Sequence, residues 1–343
     1  MERKLKILVL AGGLSEEREV SLASARAITA AIRKLGHELA VIDSASGMSL
    51  LDAGGNYLLA EDTASLSKIA MKQTDNLALA ESIKSGDYKN SDLIFLGLHG
   101  GRGEDGTIQA LLELAGLRYT GSGILASAIA MDKAFAKRVV SHENIITPDW
   151  QLLKKKDFID IDDLVERIKS HFVFPLIIKP NNSGSTVGLT LVKNADRLAA
   201  AIEIARKVTG QVLVEQYIAG REITAAVLNG KALPLVEIVP TNELYDYQCK
   251  YTKGKSNYLC PAPIGDDIKE YIQKAAAKIY EIIGCSGLAR VDFILGKGNH
   301  AYFLEVNTLP GMTELSLAPM AAKEAGISFD RLVDLICEAA LNK

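Results

Sequence analysis

Asp292, Glu305 and Asn307 offer the most legible chemistry in the chain, because two runs rich in β-branched and aromatic residues bring them together. Those runs, Gly287–Leu295 and Ala301–Asn307, flank a Gly/Asn segment, which predicts a hairpin. With Lys297–His300 as a four-residue loop and Gly296 opposite Ala301, Asp292 faces Glu305 and Arg290 faces Asn307. Side chains alternate along a strand, so these four share one face, while Val291, Phe293, Leu304 and Val306 share the other. Opposed carboxylates with Cβ atoms roughly 5 Å apart repel unless a cation lies between them. Two carboxylates and a neutral amide form an oxygen-only set suited to Mg²⁺, with substrate phosphates completing the shell. A solvated polar face on an edge hairpin is the competing reading. The turn after Asn307 favours the metal, since it carries Gly311, whose backbone N–H can approach a ligand closely, with Ser316 and Leu317 soon after.

Elements upstream must position this face. Lys6–Ala11 reads as a buried strand, and Gly12–Ser21 leads into a helix over Ser21–Leu35, the start of a parallel α/β unit. Glu17 sits where loop meets helix, placed either to receive a cationic group or simply to favour the helix N-terminus. Leu39–Ile42 and Asp92–Leu98 predict two more strands, the latter ending in the Gly-rich run His99–Gly106. Loops at the carboxyl ends of strands carry ligands in open α/β sheets, which puts His99, Glu104 and Asp105 in a binding-prone place. Residues 44–90 show helical periodicity around Leu66–Met71 and Leu77–Ile83 but no chemistry. A basic helix carrying Lys133, Lys137 and Arg138 opens a new domain near residue 130. Strand Phe174–Lys179 delivers Lys179 to the small-residue loop Pro180–Gly188, whose backbone N–H groups and hydroxyls can wrap a polyphosphate; a plain hairpin loop is the alternative. The loop is not G-x-x-x-x-G-K-[ST], which excludes a P-loop NTPase. Glu215 and Glu222 flank the turn after strand Val212–Tyr217, where carboxylates can accept from an adenine amino group or ribose hydroxyls. Tyr245–Ser256 lacks periodicity and reads as a lid-type loop, and helices close the chain over Asp266–Ile283 and Phe329–Leu341.

Composition limits the classes available. The chain has 343 residues, net charge −3, 48% hydrophobic and 24% charged residues, which fits a globular enzyme of two or three domains with no field for nucleic acid or an anionic membrane. Cys249, Cys260, Cys285 and Cys337 show no metal-finger spacing and read as reduced thiols of a cytoplasmic protein. No apolar run is long enough to span a bilayer, and the N-terminal segment does not read as a secretory leader.

Collinear motifs then bring a known family into view: Glu17–Ser21, His99–Gly106, Tyr119–Gly123, Met131–Lys133, Ile178–Pro180 with Gly184–Gly188, Tyr245–Tyr251, Arg290–Asp292 and Glu305–Thr313. Through them the chain resembles a D-alanine–D-alanine ligase, an ATP-grasp carboxylate–amine ligase, nearly end to end. The resemblance implies an α/β (α+β) fold of three domains. These are an N-terminal parallel α/β substrate domain (1–130), a central domain with the phosphate flap (131–217) and a C-terminal domain with metal site and lid (218–343). It also implies ATP, two Mg²⁺ (or Mn²⁺) ions, a cytoplasmic location and a homodimer, with D-alanine ligated through an acyl-phosphate for peptidoglycan synthesis.

By the same resemblance, Lys133, Lys179, Ser183, Gly184 and Lys250 hold phosphates, and Glu215, Gln216, Tyr217, Ile218 and Glu222 hold adenosine. Asp292, Glu305 and Asn307 hold the metals. Glu17 takes the first ammonium, His99 supports substrate, and Ser316 with Leu317 holds the second substrate. Arg290 and the Gly311 N–H stabilise the oxyanion, an effect worth about 3 kcal/mol per donor. Glu17, Ser185 and Tyr251 link lid to body, and Tyr251, where depsipeptide-forming relatives tend to carry Phe, favours dipeptide. Gln248 stands where Glu is frequent, Leu315 where some members have His, and the 44–90 insertion is longer than in compact members. A different acceptor, D-serine, D-lactate or another amino acid, is the alternative within the class. A non-catalytic nucleotide-binding protein is the alternative outside it.

Overall fold

Residues 3–58, 83, 86–240, 256–314 and 316–343 are described by the structure, a computed structural model. The helical periodicity at 66–71 and 77–82, the lid segment with Lys250 and Tyr251, Gln248 and Leu315 lie outside the described residues.

Three sheets carry the described residues, and each takes its character from which faces of its strands are apolar. β1 (Lys6–Ala11), β2 (Glu38–Asp43) and β3 (Leu93–Leu96) form a parallel sheet in the order β2-β1-β3. Ile7 through Ala11 are buried on both faces, as the unbroken apolar run requires for a central parallel strand. The helix over Arg18–Lys34 turns Leu22, Ala25, Ile28 and Ile32 onto that sheet at spacings of three and four, and the chain leaves it at Gly36. Gly12 makes the strand-to-helix turn at φ +73°, and a Cβ there would lie 2.6 Å from the Arg18 guanidinium. Arg18 forms a bidentate pair with buried Asp43 at the end of β2, both contacts 2.8 Å, which pins the start of the helix beside the Gly12–Gly13 turn.

β4 (Trp150–Leu153), β5 (Leu176–Pro180), β6 (Thr190–Val192) and β7 (Val212–Gln216) form an antiparallel sheet ordered β4-β7-β5-β6, backed by helices Ile161–His171 and Leu198–Thr209. The third sheet holds β8 (Gly220–Leu228), β9 (Lys231–Ala232), β10 (Val236–Pro240), β11 (Ser256–Leu259), β12 (Leu288–Gly296) and β13 (Ala301–Asn307). Helices Ile124–Met131, Lys133–Ser141 and Asp266–Ile283 cover its inner face. Only three residues separate β7 from β8, yet the two strands belong to different sheets, and the cleft opens at that crossover. Helices Leu317–Glu324 and Phe329–Leu341 return to share a core with the first sheet. No helix among the described residues is long and apolar enough to cross a membrane.

The hairpin register is the one the residues predicted where it matters: Arg290 pairs with Asn307 and Asp292 with Glu305. Toward the turn it differs, because the loop is Gly296–His300, closed by the Gly296 N–H donating to the His300 carbonyl at 2.9 Å, and Leu295 rather than Gly296 opposes Ala301. A β-bulge absorbs the mismatch between Asp292/Glu305 and Phe293/Phe303. The extra residue is Leu304, which therefore lines the cleft beside Glu305 instead of facing the core with Phe293 and Val306.

The Arg18–Asp43 pair yields a stability prediction. Replacing Arg18 by Met strands a carboxylate that is 0% exposed, and should lower unfolding stability by about 3 kcal/mol in urea titrations followed by circular dichroism. Arg18→Met with Asp43→Asn should recover much of that loss; a single-variant loss below about 1 kcal/mol would contradict the pair's role.

Candidate active site

The described site residues that the resemblance assigns gather around one cavity of about 580 Å³ between the three sheets, whereas Asp105 does not line it and accepts from the Thr107 N–H at 2.8 Å. Glu17, His99, Lys133, Lys179, Ser183, Gly184, Ser185, Glu215, Gln216, Tyr217, Ile218 and Glu222 line it, with Arg290, Asp292, Glu305, Asn307, Gly311, Ser316 and Leu317. Lys250 and Tyr251 lie outside the described residues.

Glu17 occupies the N-cap position of its helix without capping it; its carboxylate instead accepts a short hydrogen bond from the Ser185 hydroxyl. That contact ties the first sheet to the flap after β5. Ser185 and Thr186 take the left-handed conformation, φ +50° and +58°, which is costly for a β-branched residue. A Cβ on Gly184 would lie 2.7 Å from the Glu17 carboxylate, so only glycine allows the flap this close. Lys133 holds the other end of the flap, donating to the Ser183 carbonyl at 2.6 Å while paired with Glu305 at 3.1 Å.

Glu215 is 2% exposed and sandwiched between lysines, Lys179 at 2.6 Å and Lys137 at 2.8 Å. Burial pushes its pKa up, but the two ammonium groups outweigh that and hold it below the usual carboxylate range. Its oxygens are thus already engaged by cations rather than standing open for adenosine as the sequence suggested. Gln216 likewise spends its side-chain amide on the backbone carbonyls of Val173 and Pro175, at 2.7 and 3.1 Å, and its own N–H on the Asp149 carbonyl at 2.8 Å.

On the hairpin, Arg290 chelates Asp292, with Nε–Oδ1 at 2.9 Å and Nη2–Oδ2 at 2.8 Å, and the Thr224 hydroxyl from β8 donates to Asp292 at 2.5 Å. Each carboxylate of the expected metal set therefore has a protein cation beside it, Arg290 on Asp292 and Lys133 on Glu305. Asn307 Oδ1 is buried without a hydrogen-bond partner among the described residues, an unusual state for an amide oxygen and the state expected of a ligand awaiting a cation. The described lining holds seven carboxylates, Glu17, Glu19, Glu104, Glu215, Glu222, Asp292 and Glu305, against Lys133, Lys179 and Arg290. This excess, the oxygen-only donors and the orphaned amide all fit divalent cations at Asp292, Glu305 and Asn307.

A buried network fixes the turn after β13. The Leu309 carbonyl can only accept, so His99 Nδ1 donates to it at 2.8 Å and is the protonated nitrogen of a neutral ring. Nε2 then accepts from the Ser24 hydroxyl at 2.9 Å, and Ser24 accepts from the Met312 N–H at 3.1 Å. Burial above all depresses the His99 pKa, consistent with that neutral tautomer. With both nitrogens used, His99 serves the turn rather than contacting substrate directly as expected from the sequence. Glu104 completes the clamp, accepting from the N–H groups of Gly100 at 2.7 Å and Leu309 at 3.0 Å. Gly311 sits inside this clamp, where a Cβ would meet the Ser316 hydroxyl at 2.7 Å. That hydroxyl accepts from the Thr313 N–H at 3.0 Å.

Sequence reasoning missed Lys137, Thr224 and Ser24 as parts of the site. Lys137 carried a signal, for it shares a helical stripe with Val140 and Ala136, both buried.

Comparison with known proteins follows the same lines. A family model described as "D-ala D-ala ligase N-terminus" matches residues 6–122, and one described as "D-ala D-ala ligase C-terminus" matches residues 139–338. The chain is 40% identical over 337 residues to D-alanine--D-alanine ligase of Syntrophotalea carbinolica, covering 98% of this chain and 96% of that one. It is 41% identical over 344 residues to the same enzyme of Desulforamulus reducens, covering 99% of each. Among solved structures it resembles the Bacillus anthracis D-alanine--D-alanine ligase complexed with ATP, with TM-score 0.76, 33% identity and coverage of 99% and 98%. It also resembles the VanG D-Ala:D-Ser ligase of Enterococcus faecalis, with TM-score 0.78, 33% identity and coverage of 98% and 100%.

Glu104 yields a pH prediction of definite sign. Burial, with Glu17 nearby, pushes its pKa from 4.5 to about 7 against the pull of the two N–H donors and Arg290. Between those values the native state binds more protons than the unfolded chain, so rising pH erodes stability across that window. Measured by thermal melts, the wild type should lose stability relative to E104Q as pH rises from about 5 to about 7; a constant difference would contradict the assignment.

Proposed function

The chain belongs to the D-alanine–D-alanine ligase family, and we propose that it joins two D-alanines into D-alanyl-D-alanine with conversion of ATP to ADP and phosphate. The observation that carries this reading is the convergence of three groups on one cavity: the Glu17 carboxylate, the Lys133/Lys179 pair beside the flap, and the Asp292–Glu305–Asn307 oxygen set. Lys133, Lys179 and the flap at 183–188 hold the ATP phosphates, while main-chain groups of Gln216–Ile218 with Glu222 hold adenosine. Asp292, Glu305 and Asn307 hold Mg²⁺ or Mn²⁺, which when bound neutralises phosphate charge and polarises the transferred phosphoryl group.

Glu17 receives the ammonium of the first D-alanine and aims its carboxylate at the γ-phosphate. One carboxylate oxygen bonds to phosphorus as the bond to ADP breaks. The free amine of the second D-alanine, held through Ser316 and the start of the helix at Leu317, attacks the acyl-phosphate carbon. The tetrahedral oxyanion lies near Arg290 and the Gly311 N–H, and it collapses with loss of phosphate and of the amine proton. The neutral His99 and Glu104 act through the turn, keeping Gly311 in place. Ser185, donating to Glu17, keeps the flap closed over the intermediate, where water would otherwise hydrolyse it. The reading places the product in peptidoglycan synthesis, the enzyme in the cytoplasm and the chain in a two-fold homodimer, the commonest closed assembly.

A second acceptor is the alternative that one observation favours, the similarity to a D-Ala:D-Ser ligase at 33% identity. Phosphate release and product mass, scored across D-alanine, D-serine, D-lactate and L-amino acids, separate the two. D-alanine-dependent release with a D-alanyl-D-alanine product is expected, and release independent of D-alanine would overturn the reading. Asp292→Asn and Glu305→Gln should each abolish turnover at ordinary Mg²⁺; rates like wild type would refute the metal assignment.

A further inference from the structure

Lys137 takes no part in the reaction just described, yet it is one of the largest fully buried side chains among the described residues. It lies behind the cavity wall, on the helix Lys133–Ser141, and does not line the cavity. An ammonium has three donors, and Lys137 hydrogen-bonds two acceptors and ion-pairs with a third group, each on a different stretch of chain. Glu215 on β7 is 2.8 Å away, the Thr147 hydroxyl 2.6 Å and the Phe303 carbonyl on β13 3.2 Å. The Phe303 ring adds a cation–π contact, with its centroid 5.7 Å from Nζ.

Charge explains why a lysine stands there. Lys179 lines the cavity and pairs with Glu215 at 2.6 Å. With only those two groups, the pair is neutral and the Lys179 charge is spent on the protein's own carboxylate. Lys137 supplies a second cation to the same carboxylate, so the trio carries one net positive charge facing the cleft. Burial pushes the Lys137 pKa down to about 8 against the pull of Glu215, which leaves it protonated at neutral pH. The same ammonium also bridges β7 to β13.

We propose that Lys137 is a positioning residue for the nucleotide: by neutralising Glu215 from behind the wall, it leaves Lys179 a net charge for the phosphates. This rests on the ligase reading above, in which Lys179 meets phosphates. Whether wild type binds ATP and needs D-alanine tests that reading independently of any Lys137 variant.

The test compares equilibrium binding of ADP and of adenosine, alongside KM for ATP and D-alanine, in wild type, Lys137→Met and Lys137→Met with Glu215→Gln. Lys137→Met should weaken ADP about tenfold and raise KM for ATP, with adenosine affinity and KM for D-alanine within about twofold of wild type. Removing the stranded carboxylate should then return most of the lost ADP affinity, because Lys179 no longer has an anionic partner and the amide that replaces it still offers an oxygen. If Lys137→Met does not fold, Lys137→Gln, whose amide still donates to Glu215, replaces it with the same comparisons. Equal loss of ADP and adenosine binding, no loss of ADP binding, or a double variant no better than the single would each overturn the proposal.

Discussion

Carboxylates withdrawn from water must be neutralised, and of the seven among the described lining residues of the cleft only Glu19 is exposed. How each is balanced decides how the three sheets sit. Lys133 precedes the four-stranded sheet but pairs with Glu305 of the six-stranded one, and Lys137 joins Glu215 on β7 to the Phe303 carbonyl on β13. Ser185 on the flap reaches Glu17 at the start of the first helix. Glu104 has two N–H donors but no paired cation among the described residues, so burial, with Glu17 nearby, holds its proton far up the pH scale. Buried pairs of this kind add little net stability, since desolvation consumes most of the Coulombic gain. What they give is geometry, because a sheet displaced by an ångström or two would leave a buried charge without its partner.

The first sheet contributes less through direct contact than through support. Its loop at His99–Glu104 and the helix Arg18–Lys34 grip the turn Thr308–Met312 by three routes: the His99 ring to Leu309, Glu104 to the Leu309 N–H, and Ser24 of the helix to the Met312 N–H. An N–H donor stabilises a developing oxyanion best when no reorganisation is needed at the moment of reaction. Under the ligase reading, holding Gly311 between fixed neighbours meets that condition, and the absence of a Cβ lets Ser316 close beneath it.

Local chemistry is legible in the sequence and long-range pairing is not. The helix Asp266–Ile283 has the ends its apolar periodicity predicts, and so does Phe329–Leu341. The hairpin register at Arg290/Asn307 and Asp292/Glu305 can be counted from the turn, although the loop is one residue longer than that count assumes. The bulge at Leu304 compensates for the difference. No residue type announces such a bulge, since leucine is as suited to the core as to an adenine-facing wall. Glu215 reads as an open acceptor because the lysines that engage it lie 36 and 78 residues away along the chain. Lys137 reads as one charge of a basic helix. Lysine is so seldom fully buried that its position on the apolar stripe carries less weight than its charge.

Acid excess in the cleft also constrains how a polyanionic nucleotide enters. In a partly dehydrated cavity, like charges repel far more strongly than in water. Lys133 and Arg290 are already committed to Glu305 and Asp292, so neither is simply available to new phosphates. Phosphates therefore gain little unless cations arrive with them or the existing pairs exchange partners. Under the ligase reading, Asp292, Glu305 and Asn307 would hold divalent ions that do both at once, neutralising the two carboxylates and so freeing Arg290 and Lys133 to turn toward substrate anions. Binding of metal and nucleotide is then reciprocal, each strengthening the other by the same factor. Under the ligase reading, the hairpin thus couples nucleotide capture to the readiness of the oxyanion site, because the arginine that stabilises the tetrahedral centre is released only when the carboxylate beside it has acquired another partner.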